Sequence, residues 1–277
     1  MKPIATFAIL AAVAGAQTPD VQTIMERVGH NQALAVAERQ EFTYRQKQLL
    51  KMNRGNGRVA REEHREYGMT PKVHGVAKEL LHFEGKYESK GKYFAYDHPG
   101  YSYKDMDIDG DLIDDLSNDM TDDHGSRDGI GVDLFPLTTE QQAKYQFKLL
   151  ASEQYRGRDV YRVSFEPKPQ QGIGESAWKG EAIIDAAEFQ PISVHSTLAM
   201  KIPRAVKVLL GTDIKGLGFS VSYQKFEDGV WFPVSYGGEF AVRAVFFYKR
   251  TISVNMTNTE FQRTHVNSNV TYLANQK

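Results

Sequence analysis

The sequence predicts a mostly β, α+β fold built on one antiparallel sheet. Three observations carry this: segments in which apolar and polar residues alternate with period two, short turns rich in Gly and Asn between them, and no repeated helical crossover of the kind parallel strands require. From Pro19 to Arg39, Val21, Ile24, Met25, Val28, Leu34 and Val36 recur at roughly helical spacing behind Asp20, a good N-cap, so an N-terminal helix is expected, interrupted near Gly29. In the next stretch Phe42, Tyr44, Leu50 and Met52 fall on one face of a strand and Arg45, Lys47 and Lys51 on the other. The turn residues 53–57 then return the chain as a hairpin. Its second strand, RVAREEHREYG, carries so many charges that an exposed strand guarded against edge pairing is expected.

Strands across Lys78–Phe83 and Lys92–Asp97 precede an acidic segment, Asp105 to Asp133. Thr138 or Thr139 can cap a short helix, and the rest of the chain reads as strands. One hairpin turns at Arg156-Gly157 and puts Tyr161, Val163 and Phe165 on one face; others turn around Ala186–Phe189 and Asp228–Gly229. Residues 239–262 form one long strand or a bent pair, and KIPRAVKVLLG interrupts the pattern as a helix after Pro203. The total is one or two short helices and about nine or ten strands, with no linker or fixed-period repeat, hence one domain.

Composition narrows function. With 34 basic and 35 acidic residues the net charge is −1, which excludes the broad basic footprint nucleic acid needs. No cysteine means no disulfide, no thiolate zinc site and no lipid attached through an N-terminal cysteine. The opening MKPIATFAILAAVAGAQTPD has Lys2, an apolar run from Ile4 to Val13 and the small residues Ala14, Gly15 and Ala16, the plan of a secretory signal peptide cleaved after Ala16. Residues 1–16 are thus a signal peptide and 17–277 the mature domain, with no later segment apolar for long enough to span a membrane as a helix.

The motifs that suggest chemistry are incomplete. Asp105, Asp107, Asp109, Gly110 and Asp111 fit an EF-hand calcium loop, but Leu116 stands where the bidentate glutamate belongs, so a solvated acidic loop or helix is expected and no metal site is assigned. Gly172 to Ala177 matches G-x-G-x-x-A without the following helix that a dinucleotide needs. The eight histidines include no H-E-x-x-H pair, and no nucleophile elbow occurs. His124, Ser126 and Asp128 are neighbours in a loop rather than a triad. No cofactor is implied, and the expectation is a protein that is not an enzyme. What remains is 14 Tyr, 15 Phe and 2 Trp concentrated on strands, including Phe219, Tyr223, Trp231, Phe232, Tyr236, Phe240, Phe246 and Phe247. They fill a sheet's core, line a lipid cavity, or do both.

The phrases GRDVYRVSFEPKP, SAWKGEAIIDAAEFQPISVHSTL and FSVSYQKFEDGVWFPVSYGGEF, over about residues 157–240, resemble the periplasmic outer-membrane lipoprotein-sorting family of the LolA/LolB type. The resemblance implies a half-open antiparallel β-barrel wrapped around one or two short helices, with a hydrophobic cavity that takes lipoprotein acyl chains. It implies a periplasmic protein with a lipid or acyl ligand, in lipoprotein sorting or envelope maintenance. Val206, Leu209 and Leu210 then become the candidate lid, and Phe219, Tyr223, Trp231 and Phe240 the candidate wall. Two other readings stay open: a sensor of the same fold whose acidic segment, residues 105–133, docks a basic envelope partner, and an outer-membrane β-barrel. Against the second stand the charges on both faces of REEHREYG and the non-aromatic end TYLANQK. A secreted hydrolase would need a cleft pairing two of the many carboxylates.

Overall fold

The computed structural model describes residues 18–72, 75–121, 135–169, 178–199, 212–215, 218–226, 228–244 and 248–264. The expected signal peptide, residues 1–16, the segment around Val206, Leu209 and Leu210, the 172–177 glycines, His124, Ser126, Asp128, Phe246 and Phe247 lie outside these residues. Among the described residues twelve strands form one antiparallel sheet, two or three more than the alternation suggested. In chain order they are β1 (Phe42–Arg54), β2 (Val59–Pro71), β3 (Val76–Ser89), β4 (Lys92–Tyr96), β5 (Tyr145–Tyr155), β6 (Arg158–Pro167), β7 (Trp178–Asp185), β8 (Pro191–Leu198), β9 (Thr212–Lys215), β10 (Gly218–Lys225), β11 (Trp231–Ala244) and β12 (Tyr248–Arg263). The helices are α1 (Val21–Arg39), α2 (Ile108–Thr121) and α3 (Thr139–Gln142).

The sheet runs β4-β3-β2-β1-β12-β11-β10-β8-β7-β6-β5, with β9 beside the far end of β11. Every contact along it is a local hairpin or near-neighbour pairing except β1 with β12, which aligns Phe42 with Arg263 and Arg54 with Arg250. The path is open, since β4 and β5 each have one partner among the described residues. Its inner face nonetheless closes around the helices: Leu50 of β1 and Tyr145 of β5, at distant places in the strand order, belong to one continuous core with Ile24, Met25 and Val28 of α1. This is the half-open barrel that the strand phrases imply. Sharp coiling needs places without a Cβ. Gly180 is one, where a methyl would overlap the carbonyl oxygen of His195 on the neighbouring strand.

The local chemistry follows the sequence in most elements. Asp20 caps α1, accepting from the Thr23 amide at 2.9 Å, and Thr138 caps α3. The two-residue turns Lys90-Gly91 and Arg156-Gly157 have both residues at positive φ, which suits the twist of the strands they join. Residues 239–262 resolve into two strands of one hairpin, β11 and β12.

Two expectations are corrected. α1 is unbroken through Gly29, because that glycine is a packing site: a Cβ there would sit 2.8 Å from Thr139 Oγ1, so its absence lets α3 approach. More consequentially, β2 is not an exposed edge strand. It is paired along its length with β1 and β3, and Arg61, Glu63 and Arg65 are buried.

Candidate functional site: an inner face with an apolar and a charged half

The inner face divides at β1. On β6 to β12 it is apolar: Val163, Ile184, Val194, Val221 and Ile252 are buried, and aromatic rings gather between them. Trp178 meets Phe219 edge-on with centroids 5.5 Å apart, and Phe219 meets Phe240 in the same manner at 6.3 Å. Tyr223 is half-buried against the same core. Phe219 and Phe240 are therefore in ring contact, whereas Tyr223 stands four residues from Phe219 along β10. Trp231 is buried elsewhere, at the sheet end where β11 begins: its indole N–H donates to Glu188 Oε2 at 3.0 Å, its carbonyl accepts from Arg39 Nη1 at 2.7 Å, and the Arg158 guanidinium lies 5.6 Å from its ring. The chain joining β8 to β9, which carries Val206, Leu209 and Leu210, leaves the sheet at Leu198 opposite Trp178 of this wall and rejoins it at Thr212 opposite Ala244, four residues beyond Phe240 on β11.

The other half of the inner face is charged. Arg61, Glu63 and Arg65 share one face of β2 and lie opposite Met52, Leu50 and Gln48 of β1, so the apolar alternation of β1 continues sideways into ionic groups. Glu63 is surrounded by donors: Oε1 accepts from Arg61 Nε at 3.2 Å and Tyr96 hydroxyl at 2.6 Å, and Oε2 accepts from Arg65 Nε at 2.7 Å. Arg61 also donates to Asp107 Oδ2 at 2.7 Å and to the Tyr101 carbonyl at 2.5 Å, and Arg65 donates to Asp114 at 2.9 Å. Burial by itself lowers the pKa of both arginines, but Tyr96, Glu63 and Asp107 around Arg61, and Glu63 and Tyr67 around Arg65, reverse it and hold both above the usual value. The Tyr96 hydroxyl is pushed up by burial and by Glu63, so it stays a donor. Its ring lies over Gly85 of β3, where a methyl would overlap it.

Three residues of the acidic segment supply the other side of these pairs, which corrects the expectation of a solvated run at Asp107, Asp109 and Asp114, while Asp105, Asp111 and Asp115 are exposed as expected. Asp107 is buried, and its backbone oxygen accepts from the Asp111 amide at the start of α2. Asp109 accepts from Tyr248 hydroxyl at 2.8 Å and from two nitrogens of Arg250 at 2.9 Å each. Asp107, Asp109 and Asp114 thus point to three different arginines rather than converging as an EF-hand loop. A buried polar chain completes the attachment of α2: Ser117 donates to Gln48, Gln48 to Gln46, and Gln46 to Tyr236 and Asn258. Leu112, Ile113 and Leu116 of α2 pack on the apolar core alongside.

Sequence reasoning missed this half because charge density on β2 outweighed parity. The signal was present: 61, 63 and 65 alternate with 62, 64 and 66, and only one set can be outside. That outer set is what the exposed-strand reading described, with Glu62 bridging Lys51 and Lys86 and with Glu66 on Arg45. Two open grooves of about 350 and 580 Å³ lie on the outer face, lined by charged and polar residues such as His64, Glu66, His82 and Glu84 in one and Arg162, Glu181, His195 and Thr197 in the other. Among the described residues no three His, Asp or Glu side chains are arranged to hold a metal, and no helix is long and apolar enough to cross a membrane.

No protein-family model matches the chain, and no curated protein does. Solved structures that align with it include a DUF1329 family protein from Desulfovibrio piger, at 9% identity and a TM-score of 0.39, covering 90% of this chain and 95% of that one. A putative outer membrane lipoprotein-sorting protein domain from Vibrio parahaemolyticus aligns at 13% identity and a TM-score of 0.34, covering 87% and 94%. The Mycobacterium tuberculosis lipoprotein LppX aligns at 7% identity and a TM-score of 0.28, covering 87% and 96%. At these identities and scores the fold rests on the chain's own sheet, and no binding property passes from these proteins to this one.

Proposed function

We propose that this chain is an exported, periplasmic, non-enzymatic protein that holds a lipid or acyl chain against the apolar half of its inner face, in lipoprotein sorting or envelope maintenance. The observation that supports the reading is the Trp178, Phe219 and Phe240 wall, beside which the chain segment bearing Val206, Leu209 and Leu210 begins. Binding would be driven by removing apolar surface from water, worth roughly 25 cal/mol per Å² before ordering costs. An outer-membrane barrel is disfavoured by the open strand path and by an outer face that presents Arg45, Lys51, Glu62 and Glu66 where lipid would lie.

The test is native mass spectrometry, with lipid extraction, of mature protein purified from the periplasm without detergent. Co-purified acyl species, reduced by Leu209→Glu and by Phe219→Glu in protein whose circular dichroism is unchanged, are the expected result. A clean mass, with no uptake of added fatty acid or lipopeptide, would sink the proposal.

A further inference from the structure

Three hairpin ends meet at one end of the sheet: the β1–β2 turn (54–58), the β3–β4 turn with its flanks (88–93), and the approach to and departure from the β11–β12 connection at Arg243 and Lys249. Pairing places them together, since β1 ends opposite the start of β12 and β2 begins where β3 ends. Side chains knit them further. Glu88 takes Arg54 at 2.6 Å, Arg58 at 4.0 Å and the Gly91 amide at 2.5 Å, and the Lys249 side chain runs across Gly55.

Charge here is one-sided. Arg54, Arg58, Lys90, Lys92, Arg243 and Lys249 are set against Glu88, the one carboxylate among residues 54–58, 88–93, 243 and 249. Arg243 faces Lys249 across the β11–β12 ladder and Asp213 across the β9–β11 ladder, so Asp213 joins Glu88 as an acid beside the patch, and five of the six bases, Arg54, Arg58, Lys90, Lys92 and Lys249, have no acid as ladder partner. All but Arg54 are exposed, in a chain whose charges otherwise nearly cancel. Beside Lys92 stand the exposed rings of Tyr93 and Phe94, 51% and 45% accessible. Lysine next to exposed aromatic rings fits a boundary with charge above and apolar material below.

We propose that this end of the sheet is a docking surface for an anionic lipid bilayer. Arg243 stands three residues beyond Phe240 on β11, so the surface adjoins the wall invoked for ligand binding, but it requires no ligand inside. The long Lys and Arg stems meet acidic headgroups while Tyr93 and Phe94 enter the headgroup layer, and attraction persists only within a Debye length of the surface.

Co-sedimentation of the mature protein with vesicles tests it, using phosphatidylglycerol mixed with phosphatidylcholine against phosphatidylcholine alone. Binding should require the anionic lipid and fall steeply between about 0.05 and 0.5 M salt. Each Lys or Arg near such a surface is worth about a fivefold change in partition, so the triple variant Lys90→Glu, Lys92→Glu, Lys249→Glu should bind at least about a hundredfold more weakly. Reversal of Arg162 and Lys179 on the outer face of β6 and β7 is the control and should change little. Three results would overturn the proposal: equal binding to neutral vesicles, a triple variant that binds like the parent, or binding to soluble heparin that matches binding to vesicles and so assigns the patch to an acidic macromolecule.

Discussion

Glu63→Gln is the substitution that most directly probes the charged half of the inner face. The side chain is 1% exposed, and every group around it is a donor: Arg61 Nε, Tyr96 hydroxyl, Arg65 Nε and Arg65 Nη2. A carboxylate meets four donors with two acceptor oxygens. An amide of the same size must turn an NH₂ toward one of the arginines, whichever way it is flipped. Arg61 would keep Asp107, and Arg65 would keep Asp114, but each would lose one of its two carboxylate partners, the nearer one for Arg65, while remaining buried. Removing one member of a buried ionic group costs about 3–5 kcal/mol, and that is the expected loss. Glu66→Gln serves as the scale, because its partners Arg45 and Lys47 are exposed and such pairs contribute about 0–1 kcal/mol. Urea denaturation followed by tryptophan fluorescence and circular dichroism measures both. A loss of under about 1 kcal/mol for Glu63→Gln, equal to that of Glu66→Gln, would refute the claim that this network is dry and holds α2 to the sheet.

Three further outcomes are expected. Tyr96 and Tyr248 are pushed up by burial and by Glu63 and Asp109 respectively, and Tyr236 is pushed well above its ordinary value by burial, so alkaline titration at 295 nm should leave three of the 14 tyrosines un-ionised until the protein unfolds. Full ionisation with native circular dichroism retained would contradict this. The Gly91 amide, with Arg54 and Arg58, holds the Glu88 carboxyl below the usual range, so its contribution is complete above the unfolded value of about 4.3 and disappears as pH falls through the lower folded value. The stability gap between parent and Glu88→Gln should therefore be full at pH 7 and close in acid; a gap that widens in acid would show the sign to be wrong. Gly85→Ala should displace the Tyr96 ring and cost about 1–3 kcal/mol, with Gly91→Ala as an unsuitable comparison because its positive φ is itself strained. Urea denaturation again reads it, and an unchanged midpoint would remove Tyr96 from its place over β3.

How much of this was legible in the sequence varies with the physics of each element. Hairpins declared themselves because local chemistry sets them: Arg156-Gly157, Asp228-Gly229 and the alternation of Tyr161, Val163 and Phe165 need no distant partner. β1 was legible for the same reason, down to the buried Phe42, Tyr44, Leu50 and Met52, although Gln46 and Gln48 share that face unseen. β2 was not, because burial of Arg61, Glu63 and Arg65 depends on Asp107, Asp114 and Tyr96, which arrive from elsewhere in the chain. Gly29 misled in the opposite sense: a residue that weakens an isolated helix is here the contact with Thr139. Of the aromatic wall, Phe219 and Phe240 were recognisable by strand parity, whereas the position of Trp231 is fixed by Glu188 and Arg39, partners that no periodicity indicates.

The pairing of β1 with β12 has a kinetic consequence. The chain can assemble two meanders from neighbouring hairpins, β1 to β4 and β5 to β12, soon after each is synthesised. Joining them closes a loop that runs from Phe42 to Arg263, and this is the slow, entropically expensive event. Until it happens, the first meander exposes Leu50 and Met52 along an unpaired edge, and the second exposes Ile252 and Val254 along another. Chains halted between these stages are the ones prone to misassociate, so the seam is where a chaperone would act to most effect.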